Sequence, residues 1–206
     1  MYARSTTFHG DPGSVEDGIA YVRDEVLPAV TKMDGCVGLS MMCDRDDGHC
    51  IVTTAWADEH AMRSSTEGVR TMRERAAEIF GAQPEVQEWD IAFLHRAYET
   101  RDGACARVVW SRAVPDLVER TVDAYRMSLL PRIEAMPGFC SLSLFVSRTE
   151  GRAVSATTYE SRAAMDQTRE MAANMRDDFA MSMGVAITEV AEMELVLAHL
   201  RVPETV

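Results

Sequence analysis

The chain repeats itself. Leu27, Pro28, Met33, Gly35, Leu39, Ser40, Arg45, Gly48 and Thr54 recur 103 residues later as Leu130, Pro131, Met136, Gly138, Leu142, Ser143, Arg148, Gly151 and Thr157. The register does not slip, and Trp56 falls on Tyr159. Identities held at one fixed spacing mark an internal duplication. With 206 residues, each copy has about 100, which is small for an independent core, so the copies are expected to pack on each other. The first domain is expected at 1–97 and the second at 104–200, joined by the polar stretch 96–104 with its Asp102-Gly103 turn.

Each copy reads strand, helix, strand, strand, helix, strand. In the first, 2–9 is a strand and Gly10-Asp11-Pro12-Gly13 a turn. Ser14 and Asp17 read as a capping box. The helix behind it carries Ile19, Val22, Val26, Val30 and Met33 as one apolar stripe. Pro28 lies inside that stripe and Pro131 inside its counterpart. Both helices are expected to kink or break there, because proline removes a backbone donor and crowds the preceding turn. Strands at 37–43 and 50–56 flank a turn at 44–48, a second helix spans 58–80 and a fourth strand 86–94. The second copy repeats this order, with strands at 105–112, 139–147, 153–159 and 185–197.

Two helices on one face of a four-stranded antiparallel sheet make a ferredoxin-like unit. In the fourth strand Trp89, Ile91 and Phe93 alternate with Ala92 and Leu94, so both faces are apolar and need two covers. The helices are one cover, and the other copy's sheet is the expected second.

Composition narrows the partners. A formal net charge of −12 argues against nucleic acid or an anionic membrane surface. No apolar run approaches the roughly 20 residues of a membrane span, and Tyr2-Ala3-Arg4 opens no signal segment. Cys36, Cys43, Cys50, Cys105 and Cys140 form no Cys-x-x-Cys pair and sit in apolar runs, which fits reduced, buried thiols in a cytoplasmic protein. No metal site is expected, because His and Cys do not cluster at ligand spacing.

A helix closing on Met-x-Gly, a strand, a short turn, then a strand ending in an aromatic ahead of an acidic helix start (Thr54-Ala55-Trp56-Ala57-Asp58-Glu59) resembles the antibiotic biosynthesis monooxygenase family. The resemblance runs through both copies. It implies an α+β fold: two ferredoxin-like βαββαβ units in tandem, forming within one polypeptide the dimeric α+β barrel that most members build from two subunits. It also implies a pocket between the helices and sheet of each unit. From the monooxygenase branch it implies oxidation of a small aromatic or quinol-like molecule with no cofactor. The alternative is a non-catalytic barrel that binds a small hydrophobic molecule or serves as a scaffold. Further homo-oligomerisation stays open.

By the same resemblance Trp56 borders the pocket, and Tyr159 holds its place in the second copy. The competing role for both is packing at a strand end. His60, four residues on, could be a general base toward an acidic phenol, although its counterpart is Ala163. Trp56 and His60 are therefore the catalytic candidates. Trp110, Tyr125, Asn174 and Tyr159 are ligand candidates in the second copy, and Thr7 in the first. His9, His49, His95 and His199 lie near strand ends or turns and carry no assigned role. The haem-degrading branch uses an asparagine on the first strand, and a tryptophan and a haem-ligating histidine on the second helix. Those positions fall near Thr7 and Trp110, Ser65 and Thr168, and Glu74 and Asp177. None matches, and a carboxylate does not replace a neutral imidazole on iron without changing the chemistry. The methionines of both second helices suit either an adaptable pocket or ordinary core.

Overall fold

The computed structural model describes residues 1–200. The first copy contributes strands β1 (Tyr2–His9), β2 (Cys36–Asp44), β3 (His49–Trp56) and β4 (Glu85–Arg96), and helices α1 (Val15–Tyr21), α2 (Leu27–Val30), α3 (Glu59–Ser64) and α4 (Thr66–Phe80). The second contributes β5 (Cys105–Arg112), β6 (Phe139–Ser147), β7 (Arg152–Tyr159) and β8 (Ala186–Leu200), and α5 (Val118–Ala124), α6 (Leu130–Glu134), α7 (Arg162–Gln167) and α8 (Arg169–Met183). Each copy is thus the α+β, ferredoxin-like unit that the repeat implies. Hydrogen-bonded strands follow one closed order, β1-β3-β2-β8-β5-β7-β6-β4. Two compact units divide the chain inside the long strands β4 and β8. One holds Met1–Trp89 and β8 from Leu195 onward, the other Asp90–Glu194.

In the first unit β3 pairs with β1 from Tyr2↔Trp56 to His9↔His49, and with β2 from Cys36↔Trp56 to Asp44↔His49. Phe8, Val15, Val22, Leu39, Met41, Val52 and Phe80 form its core. In the second unit β7 is central between β5 and β6, β8 pairs with β5, and β4 pairs with β6. Phe93, Val122, Leu129, Leu142, Leu144 and Met165 form that core. Burial of each such side chain contributes about 1.5–3 kcal/mol.

The recurring Gly48 and Gly151 have a steric cause. Both adopt positive φ (75° and 66°), and a Cβ there would lie 2.2 Å from Gly10 O and 2.1 Å from Ala113 O. The same close approach lets Gly10 N–H donate to Gly48 O at 3.1 Å and Ala113 N–H to Gly151 O at 2.7 Å.

Three local expectations are corrected. The Ser14 side chain does not cap α1; its hydroxyl donates to Asp11 O at 2.7 Å, while Asp11 Oδ1 accepts from Gly13 N–H and caps a short 3₁₀ turn. The two prolines break neither helix. A single π turn precedes each, Val22–Val26 and Tyr125–Leu129, in which Leu27 N–H reaches back to Val22 O and Leu130 N–H to Tyr125 O. The wider turn accommodates the pyrrolidine ring that an α turn would crowd. The second helix of each copy is interrupted, at Ser65 and at Thr168. There the Ser65 hydroxyl donates to Met62 O at 2.6 Å and the Thr168 hydroxyl to Met165 O at 2.8 Å.

Candidate functional site

Those interruptions lead to the site. Strand alternation turns Arg4, Thr6 and Phe8 toward one cavity, and Arg107, Val109 and Ser111 toward another. Arg4 and Arg107 are 3% and 5% exposed. An unpaired guanidinium at that depth would be prohibitive, and both are engaged on all sides. Arg4 donates from Nε and Nη2 to Glu88 Oε1 (3.0 and 2.6 Å), from Nη1 to Ser65 Oγ (2.9 Å), and from Nη2 to Met62 O (2.9 Å) and Thr66 Oγ1 (3.0 Å). Arg107 repeats the pattern toward Glu192 Oε1 (3.1 and 2.9 Å), Met165 O (2.9 Å) and Thr168 Oγ1 (3.2 Å). Each arginine adds a donor to a helix carbonyl, Met62 O or Met165 O, just where the helix stops at Ser65 or Thr168. In the second copy Arg107 Nη1 also donates to Tyr159 OH at 3.3 Å, with its Cζ 5.5 Å from that ring's centroid. Burial pushes the Glu192 carboxyl up, but hydrogen bonds from Arg107 and Arg169 outweigh it and hold the group below the usual carboxylate range.

The second copy encloses a cavity of about 100 Å³. Its walls are mainly Val118, Val122, Leu129, Ile133, Leu144, Met175 and Phe179, and its polar groups include Arg107, Tyr125, Ser155, Thr157 and Tyr159. The π turn ahead of Pro131 carries Tyr125. Burial pushes its phenol up to about 12, against a hydrogen bond with Ser155, and Tyr159 nearby adds to the rise. Tyr159 OH accepts from Arg107 and donates to Met136 Sδ at 3.5 Å. A thioether is a weak acceptor. The lining contains no His, Cys, Asp or Glu.

The first copy keeps about 50 Å³. Phe8 and Phe80 stack with centroids 4.7 Å apart, and a Cβ on Gly18 would meet the Phe80 ring at 2.2 Å. The repeat places Ser111, Met183 and Thr121 at those three positions.

Tyr125 and Tyr159 come together in the second cavity. Trp110 falls on the opposite face of β5 from Arg107, Val109 and Ser111, and Thr7 on the opposite face of β1 from Thr6 and Phe8. Asn174 is exposed on α8, away from the lining positions Ala172, Met175 and Phe179. Trp56 is fully buried with its Nε1–H donating to Thr54 Oγ1 at 3.0 Å, and it does not line the first cavity. His60 is exposed on α3, its Nε2 3.5 Å from Ser64 Oγ. The residues that sequence reasoning missed are Arg4 and Arg107. Their signal was present: the Ala-Arg pair at 3–4 recurs at 106–107, in the same register as the rest of the repeat. Among the described residues, no group of three or more His, Cys, Asp or Glu is placed to hold a metal ion, and no helix is long and apolar enough to cross a membrane.

Comparison with known proteins agrees with this architecture. The sequence profile described as antibiotic biosynthesis monooxygenase matches residues 1–74. An uncharacterised protein of Mycobacterium tuberculosis H37Rv is 48% identical over the whole of this chain and 88% of its own length, and a second from the same strain is 45% identical over the whole of this chain and 92% of its own. Among solved structures, a protein provisionally named a monooxygenase from Lactobacillus acidophilus superposes with a TM-score of 0.68 at 10% identity, covering 97% of this chain and 96% of that one. An anthrone oxidase-like protein gives 0.66 at 13%, covering 97% and 90%. A haem-degrading enzyme of Listeria monocytogenes gives 0.52 at 8%, covering 94% and 99%. At these identities the likeness shows the fold alone.

Proposed function

This chain belongs to the antibiotic biosynthesis monooxygenase family, and from that premise we propose that its second copy holds the working pocket of an oxygenase for a small, quinol-like aromatic molecule. The observation that carries this reading is the pair of tyrosine hydroxyls, Tyr125 and Tyr159, in the wall of a mainly apolar cavity. Size limits the ligand. An apolar cavity near 150 Å³ holds about one benzene, so roughly 100 Å³ admits no more than a single ring, and that only as Met136 and Met175 adjust to make room. The Tyr159 hydroxyl, backed by Arg107 and donating only to a thioether, is free to turn its proton to a ligand oxygen. Tyr125, held protonated, is the second donor.

With no resident cofactor in this reading, the substrate supplies the electrons. A quinol has two to give: quinol plus dioxygen yields a hydroxyquinone and water. The lining offers no base, so the quinol proton leaves to solvent while the two phenols and Arg107 stabilise the anion. The absence of a base also favours the second reading, a non-catalytic carrier of the same ligand.

Oxygen consumption with single-ring quinols, read beside direct binding, separates these readings. An oxygenase consumes dioxygen in the wild type, loses most of that rate in Tyr159→Phe, and loses binding in Ser111→Phe. Binding without oxygen uptake means a carrier. No binding of any single-ring quinol overturns both.

A further inference from the structure

The first copy carries a feature its duplicate lacks. Cys43 and Cys50 are direct partners across the β2–β3 hairpin, one pair in from its end at Asp44↔His49. Both are fully buried, and their sulfur atoms lie 2.7 Å apart. At the same register in the second copy, Val146 faces Ala153. Directly opposed strand residues hold their Cβ atoms about 4.5–5.5 Å apart, near the 3.5–4.5 Å span of a disulfide, so little backbone movement is needed to join them.

We propose that Cys43 and Cys50 form a hydroperoxide-sensitive dithiol that closes reversibly to a cross-strand disulfide. One thiol attacks the peroxide, whose O–O bond breaks; the cysteine becomes a sulfenic acid and one water leaves. The second thiol then attacks that sulfur, the S–S bond forms and a second water leaves. The two sulfurs have given two electrons, and the peroxide has become two waters. Burial selects the oxidant. Hydrogen peroxide, close to water in size, needs only a small opening at the hairpin end, whereas bulky disulfides need the strands to separate. A dithiol or another thiol reductant restores the pair by exchange. This inference does not rest on the quinol reading, because it concerns the other copy and another chemistry.

Trypsin makes the test direct. Cleavage after Lys32, Arg45 and Arg63 puts Cys43, with Cys36, on one peptide and Cys50 on the next. The native protein is treated with hydrogen peroxide, alkylated, digested and read by mass spectrometry. The expected product joins the two peptides, is about 2 Da lighter than their sum, and disappears on reduction. Reactive thiols in the denatured protein fall from five to three. The cross-link persists in Cys36→Ser and vanishes in Cys43→Ser. The paired variant Cys43→Val with Cys50→Ala, which copies the second copy, keeps the reduced wild type's melting temperature and loses the upward shift that peroxide gives the wild type. Alkylation of both cysteines after peroxide, a sulfinic acid at either without a cross-link, or a cross-link formed only in denaturant would overturn the proposal.

Discussion

In the first copy Phe8 and Phe80 stack at 4.7 Å against Gly18, and about 50 Å³ remains. In the second, Ser111, Met183 and Thr121 hold those positions and about 100 Å³ remains. The buried arginine, its glutamate and the helix carbonyl it captures are nevertheless the same in both. What the copies share belongs to the scaffold, and what differs is where the proposed function puts the ligand. Arg107 lines the open cavity, yet Arg4 does the same work beside the filled one, so its first role is structural. Tyr125 has no such alibi. Its counterpart is Val22, and it is the π turn that carries the phenol into the open cavity.

The sharpest way to break this comparison is to remove the clamp. Arg107→Ala removes the buried partner of Glu192, leaving it Arg169, and Arg4→Ala removes that of the half-exposed Glu88; the carbonyls of Met165 and Met62 keep their hydroxyl donors. Each is expected to cost about 3–5 kcal/mol in chemical denaturation. A large loss in one copy only would end the claim that the clamp is common scaffold. Next, Phe8→Ser should empty part of the first core at a cost of about 3 kcal/mol and enlarge that cavity, seen in a crystal structure of the variant. Ser111→Phe with Thr121→Gly, the reverse exchange, should cost only about 1–2 kcal/mol while lowering affinity for a bound single-ring ligand at least about tenfold.

Acid probes the second copy's clamp more gently. Glu192 is held below its unfolded value. Its ion pair therefore stabilises fully above that value, about 4.3, and the contribution is lost as pH falls through the lower folded value. Melting curves from about pH 6 to pH 3 should show Glu192→Gln losing less stability than wild type over that range. The smallest effect is expected at His60. It is exposed and bonded only within its own helix, so His60→Ala should change stability by less than about 0.5 kcal/mol and leave oxygen uptake unaltered.

The duplication was readable because glycines and prolines with strict backbone duties, such as Gly48, Gly151, Pro28 and Pro131, cannot drift. Strand and helix order followed from apolar periodicity. The π turns were not readable, since a proline inside a helical stripe signals strain without saying whether the helix breaks or widens. Tyr159 could be named from its position in the repeat, opposite Trp56, and Tyr125 as an aromatic on the first helix of the second copy. Trp110 and Thr7 could not be told from lining residues, because the face of a strand depends on a register that one residue inverts. Arg4 and Arg107 escaped notice for a different reason. An arginine in a strand reads as an exposed residue until its glutamate, 84 or 85 positions away, is seen beside it.

Xenon tests the central claim without knowledge of the ligand, because it enters dry apolar cavities and little else. In crystals of the wild type under xenon pressure, anomalous density is expected beside Leu129, Ile133, Met175 and Phe179, and none beside Phe8 and Phe80. Equal density in both copies, or density in the first alone, would contradict the assignment of the pocket to the second.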